Sequence, residues 1–206
     1  MRQTLGAPRG MVSAPHHLAA QAGLAVLRDG GNAIEEMVAA ASTIAVVYPH
    51  MNSIGGDGFW LVSEPGKPPV GIDACGRSAV LASIDFYRAR DCNAIPSRGP
   101  LAANTVAGAI SGWQSALELS SRWGGRMPLA RLLADAQWYA RNGAPVTRSQ
   151  NVFTTRFLDE LAPQPIGAGF VEHEGLVREG DHPPAVVDRR HHGLVRPVLR
   201  PGQVGH

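Results

Sequence analysis

The segment PHMNSIGGDGFWLV, from Pro49 to Val62, decides how this chain folds. It places three glycines, Gly55, Gly56 and Gly58, around a single acid, Asp57, and then enters an apolar run. Such a loop is either a phosphate-binding loop or a tight corner between two elements. A phosphate-binding loop leads into a helix and carries a Lys-Ser or Lys-Thr pair, so the residues that follow the glycines distinguish the two interpretations.

The following residues indicate a corner. Phe59 to Ser63 predict a strand, Pro65–Gly66 predict a turn, and Val70 to Cys75 predict the returning strand. We interpret the glycines as a turn beneath a catalytic centre, where positive φ is needed and a second backbone comes close. We expect Asp57 to hold this turn through hydrogen bonds to its own backbone. A nucleotide-binding module is the alternative, and nucleotide binding by the isolated chain would support it.

Two helices are predicted before the loop. A short strand, Met11 to Ala14, enters a first helix that has Ser13 as its N-cap and stops at Gly30–Gly31. Asn32 begins a second helix, with Glu35 in the capping-box position. The apolar residues of this helix recur with a helical period: Ile34, Met37, Val38, Ala41, Ile44 and Ala45. Alanines occupy much of the remainder, which predicts packing on several sides.

Three more helices are predicted after the hairpin. One apolar stripe defines the third helix: Val106, Ile110, Trp113 and Leu117. Pro128 opens a fourth that Gly143 ends, and a fifth spans Arg148 to Leu161. Beyond residue 161 the sequence has no helical or strand period and contains five of the eight histidines. We therefore predict one folded region, residues 1–161, and a poorly ordered or aberrant tail, residues 162–206.

Composition excludes several classes of protein. The chain has 206 residues, 44% of them hydrophobic, and a net charge of +2, which is too small for a nucleic-acid-binding face. No apolar run approaches the roughly 20 residues that a membrane helix needs. Cys75 and Cys92 form no disulfide framework and have no metal-ligand spacing, so we expect neither a metal nor another cofactor. The first residues lack the apolar region of a signal peptide, which predicts a cytoplasmic protein.

Three longer motifs follow one another in a fixed order between Arg9 and Gln150. They are GMVSAPHHLAAQAGLAVLRDGGNAIEEMVAAA, then PHMNSIGGDGFWLV, then VAGAISGWQSALELSSRWGGRMPLARLLADAQWYARNGAPV. Together they resemble the large subunit of the γ-glutamyltranspeptidase family. Ala107 stands where that family usually has a proline.

The resemblance implies a fold and a chemistry. Members of this family are N-terminal nucleophile hydrolases with an αββα sandwich, and each precursor cuts itself into a large and a small subunit. The new N-terminal threonine of the small subunit attacks the amide of glutathione or a similar γ-glutamyl donor, and the acyl group passes to water or to an amino acid. For this chain the resemblance implies an α+β fold, a partial αββα sandwich made mostly of the helical layer with a few strands.

The resemblance also shows what this sequence lacks. The family's large subunit is longer, and the small subunit with its Thr-Thr-His start is absent. We therefore expect no catalytic residue in this chain, no activity from it alone, and a partner polypeptide like the small subunit. Thr154–Thr155 is either a cleavage site with its nucleophile or part of the fifth helix, and the Arg156 that follows, in place of His, favours the helix.

The substrate-binding arginine of the family is replaced. In the matching stretch IDACGR, Cys75 stands at the position of the arginine that binds the donor's carboxylate. Arg77 lies two residues later, on the same side of an extended segment and about 6.6 Å away. Arg77 is thus a candidate carboxylate binder, and a surface or interface arginine is the alternative. The substrate is a γ-glutamyl amide or, for an acylase of the same family, another amide.

The histidines favour structural roles. His16, His17 and His50 lie where elements begin, which favours packing or hydrogen bonding over catalysis, and His191–His192 have no further ligands at metal spacing. A second functional hypothesis is a non-catalytic scaffold subunit that pairs with a separate chain. Because few strands accompany the helices, we also expect an uncovered apolar face and self-association.

Overall fold

The computed structural model of the protein describes residues 6–161. Helices α1 (His17–Arg28) and α2 (Ala33–Val47) come first, followed by a hairpin of strands β1 (Gly58–Val62) and β2 (Val70–Ala74). The remaining elements are α3 (Ile84–Arg88), a 3-10 turn (Pro100–Ala102), α4 (Ala109–Arg122), α5 (Leu129–Leu132), α6 (Ala134–Asn142), α7 (Arg148–Arg156) and α8 (Leu158–Leu161). This is the α+β class that the sequence predicts. The predicted tail lies outside the described residues.

The start of α1 differs from its prediction. Residues 11–14 form no strand, because no other strand of the described region lies beside them. Ser13 is not the N-cap either. His16 takes that role, and its Nδ1 accepts a hydrogen bond from the Leu18 N–H at 3.2 Å. The C-terminal end is as predicted, since Gly30 follows with φ +93°, a conformation that favours glycine.

The capping box of α2 is confirmed, and it reaches further than one helix. Asn32 Oδ1 accepts from the N–H groups of Ile34 and Glu35, while Glu35 Oε2 accepts from the Asn32 N–H at 2.9 Å. Asn32 Nδ2 also donates to Ser120 Oγ at 2.8 Å, near the end of α4. The second carboxylate oxygen of Glu35 accepts the Met127 N–H at 2.8 Å. The box therefore ties the start of α2 to two distant segments.

Helix α2 is the centre of the helical layer. It packs against α1 and also against α4, α5 and α6, which confirms the predicted packing on several sides. The core cluster is Val26, Val38, Ala39 and Leu132, with Trp60, Trp113, Leu117 and Met127 packed around it. Within residues 6–161 no helix is both long and apolar enough to cross a membrane.

The predicted stripe of α4 is confirmed only in part: Trp113 and Leu117 pack against the core, but the most buried residues of the helix are small ones. Its buried residues are Ala109, Gly112, Ala116 and Ser120. Val106 precedes the helix and is exposed, and so is Ile110. The reason is close packing on the sheet: a Cβ added at Gly112 would lie 2.9 Å from the Ala74 Cβ. Small residues permit this approach, and a search for large apolar residues does not find them.

The hairpin has one covered and one open face. Its strands pair antiparallel, with Gly58 opposite Ala74 and Val62 opposite Val70. Helix α4 packs on both strands, on the face that carries Ala74. Phe59 and Leu61 are 70% and 80% exposed. One face of the sheet is therefore uncovered within the part of the chain that the structure describes.

The last two predicted helices each divide in two. The fourth begins after Pro128 and ends before Gly143, which has φ +87°, as predicted. It is interrupted at Leu133, between α5 and α6. The fifth is interrupted at Phe157, between α7 and α8.

A buried carboxyl group lies between the first two helices. Glu36 is 4% exposed, and its Oε2 has no hydrogen-bond partner among the described residues. The missing side chain of Gly23 in α1 provides the space, since a Cβ there would lie 2.7 Å from this oxygen. Burial raises the pKa of Glu36 from its usual 4.5 to about 7.

This pKa predicts a stability that falls as pH rises. Glu36 ionises above about pH 4.5 in the unfolded chain but only near pH 7 in the folded chain. The contribution of neutral Glu36 to the free energy of unfolding is therefore complete below about pH 4.5 and is lost progressively as the pH rises to about 7. Glu36→Gln stays neutral and should be more stable than the parent at pH 8, by roughly 1–3 kcal/mol. Urea unfolding at pH 5 and pH 8 measures this. The exposed Glu118→Gln is the control, and equal pH slopes for Glu36→Gln and the parent would contradict the prediction.

Candidate functional site

Three backbone segments converge at the end of the hairpin. They are the glycine loop (residues 53–58), the end of β2 with the residues after it (74–78), and the lead into α4 (104–109), together called the glycine corner. The Gly56 carbonyl accepts hydrogen bonds from the N–H groups of Gly108 and Ala109, at 3.0 Å each. No side chain caps this helix. The loop therefore caps α4 with its backbone, and these two N–H groups do not face an anion.

The glycines of the loop do not take unusual dihedral angles, and the backbone of another element comes into ordinary contact distance at Gly58. The predicted positive φ is wrong for Gly55, Gly56 and Gly58, because the glycines with positive φ in the described region lie elsewhere. A Cβ at Gly58 would lie 3.4 Å from the Ala109 Cα. The predicted second backbone lies beside Gly58, and among the described residues it is that of α4.

Two further glycines fix the corner. A Cβ at Gly76 would lie 1.6 Å from the Val106 carbonyl oxygen, and one at Gly108 would lie 2.0 Å from the Ala74 carbonyl oxygen. Beside them, the Val106 N–H donates to the Arg77 carbonyl at 2.9 Å. Any side chain at either position would separate the two segments. Sequence reasoning did not identify these glycines. The available signal is that Gly76 directly follows the predicted strand Val70 to Cys75, and that Gly108 lies among small residues near the start of the predicted third helix.

Asp57 acts across the corner. Its Oδ1 accepts the Gly76 N–H at 2.8 Å, which corrects the expectation that it bonds within its own turn. Asp73 Oδ1 accepts the Cys75 N–H at 2.9 Å. Desolvation, with the charges of Asp57 and Asp73, raises the pKa of the Cys75 thiol. The thiol is therefore protonated at neutral pH and is a poor nucleophile.

Arg77 lies in the same segment and is exposed. Its backbone is held by Val106, but its guanidinium has no hydrogen-bond or ion-pair partner within residues 6–161. The structure thus brings Cys75, Arg77 and Asp57 to one corner. The guanidinium is available there to a carboxylate ligand.

Thr154 and Thr155 lie inside α7, which confirms the helical interpretation of this pair. Thr154 is buried, and the Thr155 hydroxyl donates to the Asn151 carbonyl one turn earlier, at 2.9 Å. A threonine nucleophile of the N-terminal type needs its own free α-amine as base. Neither residue has a free α-amine in the uncut chain, and both lie within α7.

The first three histidines pack together with aromatic rings. His16 stacks on His17 with 4.8 Å between ring centroids, and the His50 ring contacts Tyr48 at 4.2 Å and Phe153 at 5.6 Å. Burial lowers the pKa of both His16 and His50. The predicted packing role is confirmed. Within residues 6–161 no cluster of His, Cys, Asp or Glu could hold a metal ion, and His191–His192 lie outside that range.

Comparison with known proteins identifies the family. The sequence profile of the Gamma-glutamyltranspeptidase family matches residues 19–184. The chain belongs to the γ-glutamyltranspeptidase family. The match continues past residue 161, so family-like sequence extends into the region predicted as a tail.

Relatives in this family are proenzymes that are longer than this chain. Over 175 residues the chain is 54% identical to the oxamate amidohydrolase proenzyme of Klebsiella pneumoniae, covering 84% of this chain and 32% of that protein. It is 38% identical over 176 residues to a glutathione hydrolase-like proenzyme of Bacillus subtilis, and the match covers 85% of this chain and 32% of that protein. The chain thus spans about a third of the length of these curated relatives.

A solved structure confirms the fold. The γ-glutamyltranspeptidase of Helicobacter pylori is similar with a TM-score of 0.76, over 89% of this chain and 52% of that chain, at 24% identity. The described residues are therefore a partial sandwich of this family, mostly its helical layer with the β1–β2 hairpin. The predicted fold class is confirmed.

The glycine corner generates a prediction about stability. Gly76→Ala would force its Cβ into the Val106 carbonyl and should destabilise the fold by roughly 2–4 kcal/mol. Gly71→Ala is the matched control, since Gly71 lies in β2 with nothing within 4 Å of an added Cβ. Chemical denaturation of both variants measures the difference. Equal stabilities would show that the two segments separate without cost.

Proposed function

We propose that this chain supplies the first part of the large subunit of an amide hydrolase, and that the substrate is a small amide bearing a carboxylate, such as oxamate. The observation that carries the proposal is the 54% identity to an oxamate amidohydrolase proenzyme. Over a region of nearly the same length, identity to the glutathione hydrolase-like proenzyme is 38%. Both values refer to the part of the chain that contains the glycine corner.

The side chains of the corner support a substrate other than a γ-glutamyl amide. A neutral thiol, Cys75, stands where the resemblance places the arginine that binds the γ-glutamyl carboxylate. Arg77 offers a guanidinium two residues away, and it can bind a carboxylate through two parallel hydrogen bonds. In oxamate the carboxylate adjoins the amide carbon directly. One arginine that fixes the carboxylate would therefore also fix the carbonyl to be attacked.

The nucleophile comes from a small-subunit-like polypeptide outside this sequence. Its N-terminal threonine hydroxyl adds to the amide carbonyl while the α-amine takes the proton. The C–N bond then breaks, and ammonia leaves with that proton. Water hydrolyses the acyl ester, releases the dicarboxylate and restores the threonine. In this scheme Arg77 binds substrate and transfers no proton, so the chain alone contributes binding but no turnover.

A second proposal concerns association of the isolated chain. In the complete protein, the rest of the sandwich would cover the sheet face that carries Phe59 and Leu61. In the isolated chain a second copy is the available cover, because both side chains are more than two-thirds exposed and adjoin a strand edge that is unpaired within residues 6–161.

The double variant Phe59→Thr, Leu61→Thr should therefore reduce self-association. We expect light scattering to show a smaller mean mass at the same protein concentration, with little loss of thermal stability. Val80→Thr is the control, since Val80 is 99% exposed and lies outside the sheet. A parent chain that is monomeric at all concentrations would overturn the proposal.

A chimera tests the proposed substrate. Residues 1–161 of this chain are joined to the complementary C-terminal part of the Klebsiella pneumoniae oxamate amidohydrolase proenzyme. The chimera should cleave itself into two subunits and release ammonia from oxamate, with little release from a γ-glutamyl anilide. The chain without this complement should release neither product.

In this chimera Arg77→Ala should raise KM for oxamate roughly 30- to 700-fold, which corresponds to about 2–4 kcal/mol for a charged hydrogen bond that the C-terminal part of the chimera covers. Arg126→Ala, an exposed arginine between α4 and α5, is the control. Preference for the γ-glutamyl anilide would overturn the substrate. An unchanged KM in Arg77→Ala would remove Arg77 from the site.

A further inference from the structure

The segment 75–77 is anchored by three hydrogen bonds from three different places. Asp73, two residues earlier, accepts the Cys75 N–H at 2.9 Å. The glycine loop supplies Asp57, which accepts the Gly76 N–H at 2.8 Å across 19 positions of sequence. The lead into α4 supplies the Val106 N–H, which donates to the Arg77 carbonyl at 2.9 Å. Among these anchors, Asp57 is the side chain that comes from another element.

We infer that Asp57 is a positioning residue: it holds Gly76 against the lead into α4 and thereby sets where the Arg77 guanidinium lies. This inference rests on the proposed function, because it assigns Asp57 a role in binding the carboxylate of the substrate. Asp57 makes no ion pair with Arg77 in the described structure and acts through the backbone.

The packing around Gly76 explains why one hydrogen bond has this effect. On one side the Val106 carbonyl lies so close that no side chain fits at residue 76. The Asp57 carboxylate binds the N–H of the same residue. Without Asp57 the Gly76 N–H has no protein acceptor in this arrangement and turns to water, and the segment is then free to move away from α4. Arg77 is the next residue and moves with it.

Hydrogen bonding and charge can be separated at this position. Asparagine keeps an oxygen that accepts the Gly76 N–H but carries no charge, and alanine has neither. The two effects have different reporters. The exchange rate of the Gly76 amide reports the backbone hydrogen bond, while the pH dependence of Cys75 alkylation reports the Asp57 carboxylate, since its charge and its hydrogen bond to the thiol both help to raise the pKa of that thiol.

The first experiment uses the whole chain with Cys92→Ser, so that Cys75 is the single thiol. In Asp57→Ala the Gly76 amide should exchange at least about tenfold faster by NMR, whereas Asp57→Asn should keep it within about threefold of the parent. Both variants should lower the pH midpoint of alkylation by iodoacetamide. Asp85→Asn, an exposed acid in α3, is the control and should change neither.

The second experiment uses the oxamate-hydrolysing chimera. Asp57→Ala should raise KM about tenfold or more with kcat changed less than threefold. Asp57→Asn should have a KM much closer to that of the parent chimera. An unchanged Gly76 exchange rate in Asp57→Ala overturns the inference. An equal rise of KM in Asp57→Ala and Asp57→Asn overturns it as well. If Asp57→Ala does not fold, a large rise of KM in Asp57→Asn overturns it. A chimera that is inactive on oxamate while Gly76 exchange responds as expected contradicts the proposed function and leaves the Asp57 anchor in place.

Discussion

The hydrogen-bonded pair of the half-buried Asn32 and the buried Glu35 is the constraint on which the rest of the structure depends. Glu35 is 3% exposed, and a buried carboxylate must have its oxygens bonded or the fold loses several kcal/mol. One oxygen accepts the Asn32 N–H and the other the Met127 N–H, while the Asn32 amide donates to Ser120. Gly125 leaves room for these hydrogen-bonded side chains, since a Cβ at that position would clash with Ser120 Oγ. The end of α4 therefore has one position relative to α2.

This constraint extends to the opposite end of α4. The helix has 14 residues and so spans about 20 Å, from the buried network at its C-terminal end to the glycine corner at its start. The face of α4 that carries small residues lies on the sheet, and the N–H groups of Gly108 and Ala109 donate to the Gly56 carbonyl. Since both ends and one face of the helix are fixed, the glycine loop and the residues after β2 are brought together although neither has much packing of its own.

The corner therefore combines a rigid backbone with exposed side chains. Gly76 and Gly108 allow two backbones to touch, and Asp57 and Asp73 bind consecutive N–H groups of the segment that carries Cys75 and Arg77. A site that must hold a small substrate gains from such preorganisation, because little conformational freedom is lost on binding. In the proposed function, the described part of the chain supplies this binding geometry and another polypeptide supplies the attacking group.

The sequence by itself determined the elements whose signals are local. The Asn32–Glu35 capping box, the stops at Gly30 and Gly143 and the β1–β2 hairpin were predictable because each depends on residues within a few positions of one another. The order of motifs also indicated the family. Tertiary structure alone decided that the small residues of α4 pack on the sheet, that α4 is the backbone beside the glycine loop, and that Asp57 binds Gly76. These contacts join residues 19 or more positions apart, and the small residues that permit them carry no hydrophobic period, so no local pattern encodes them.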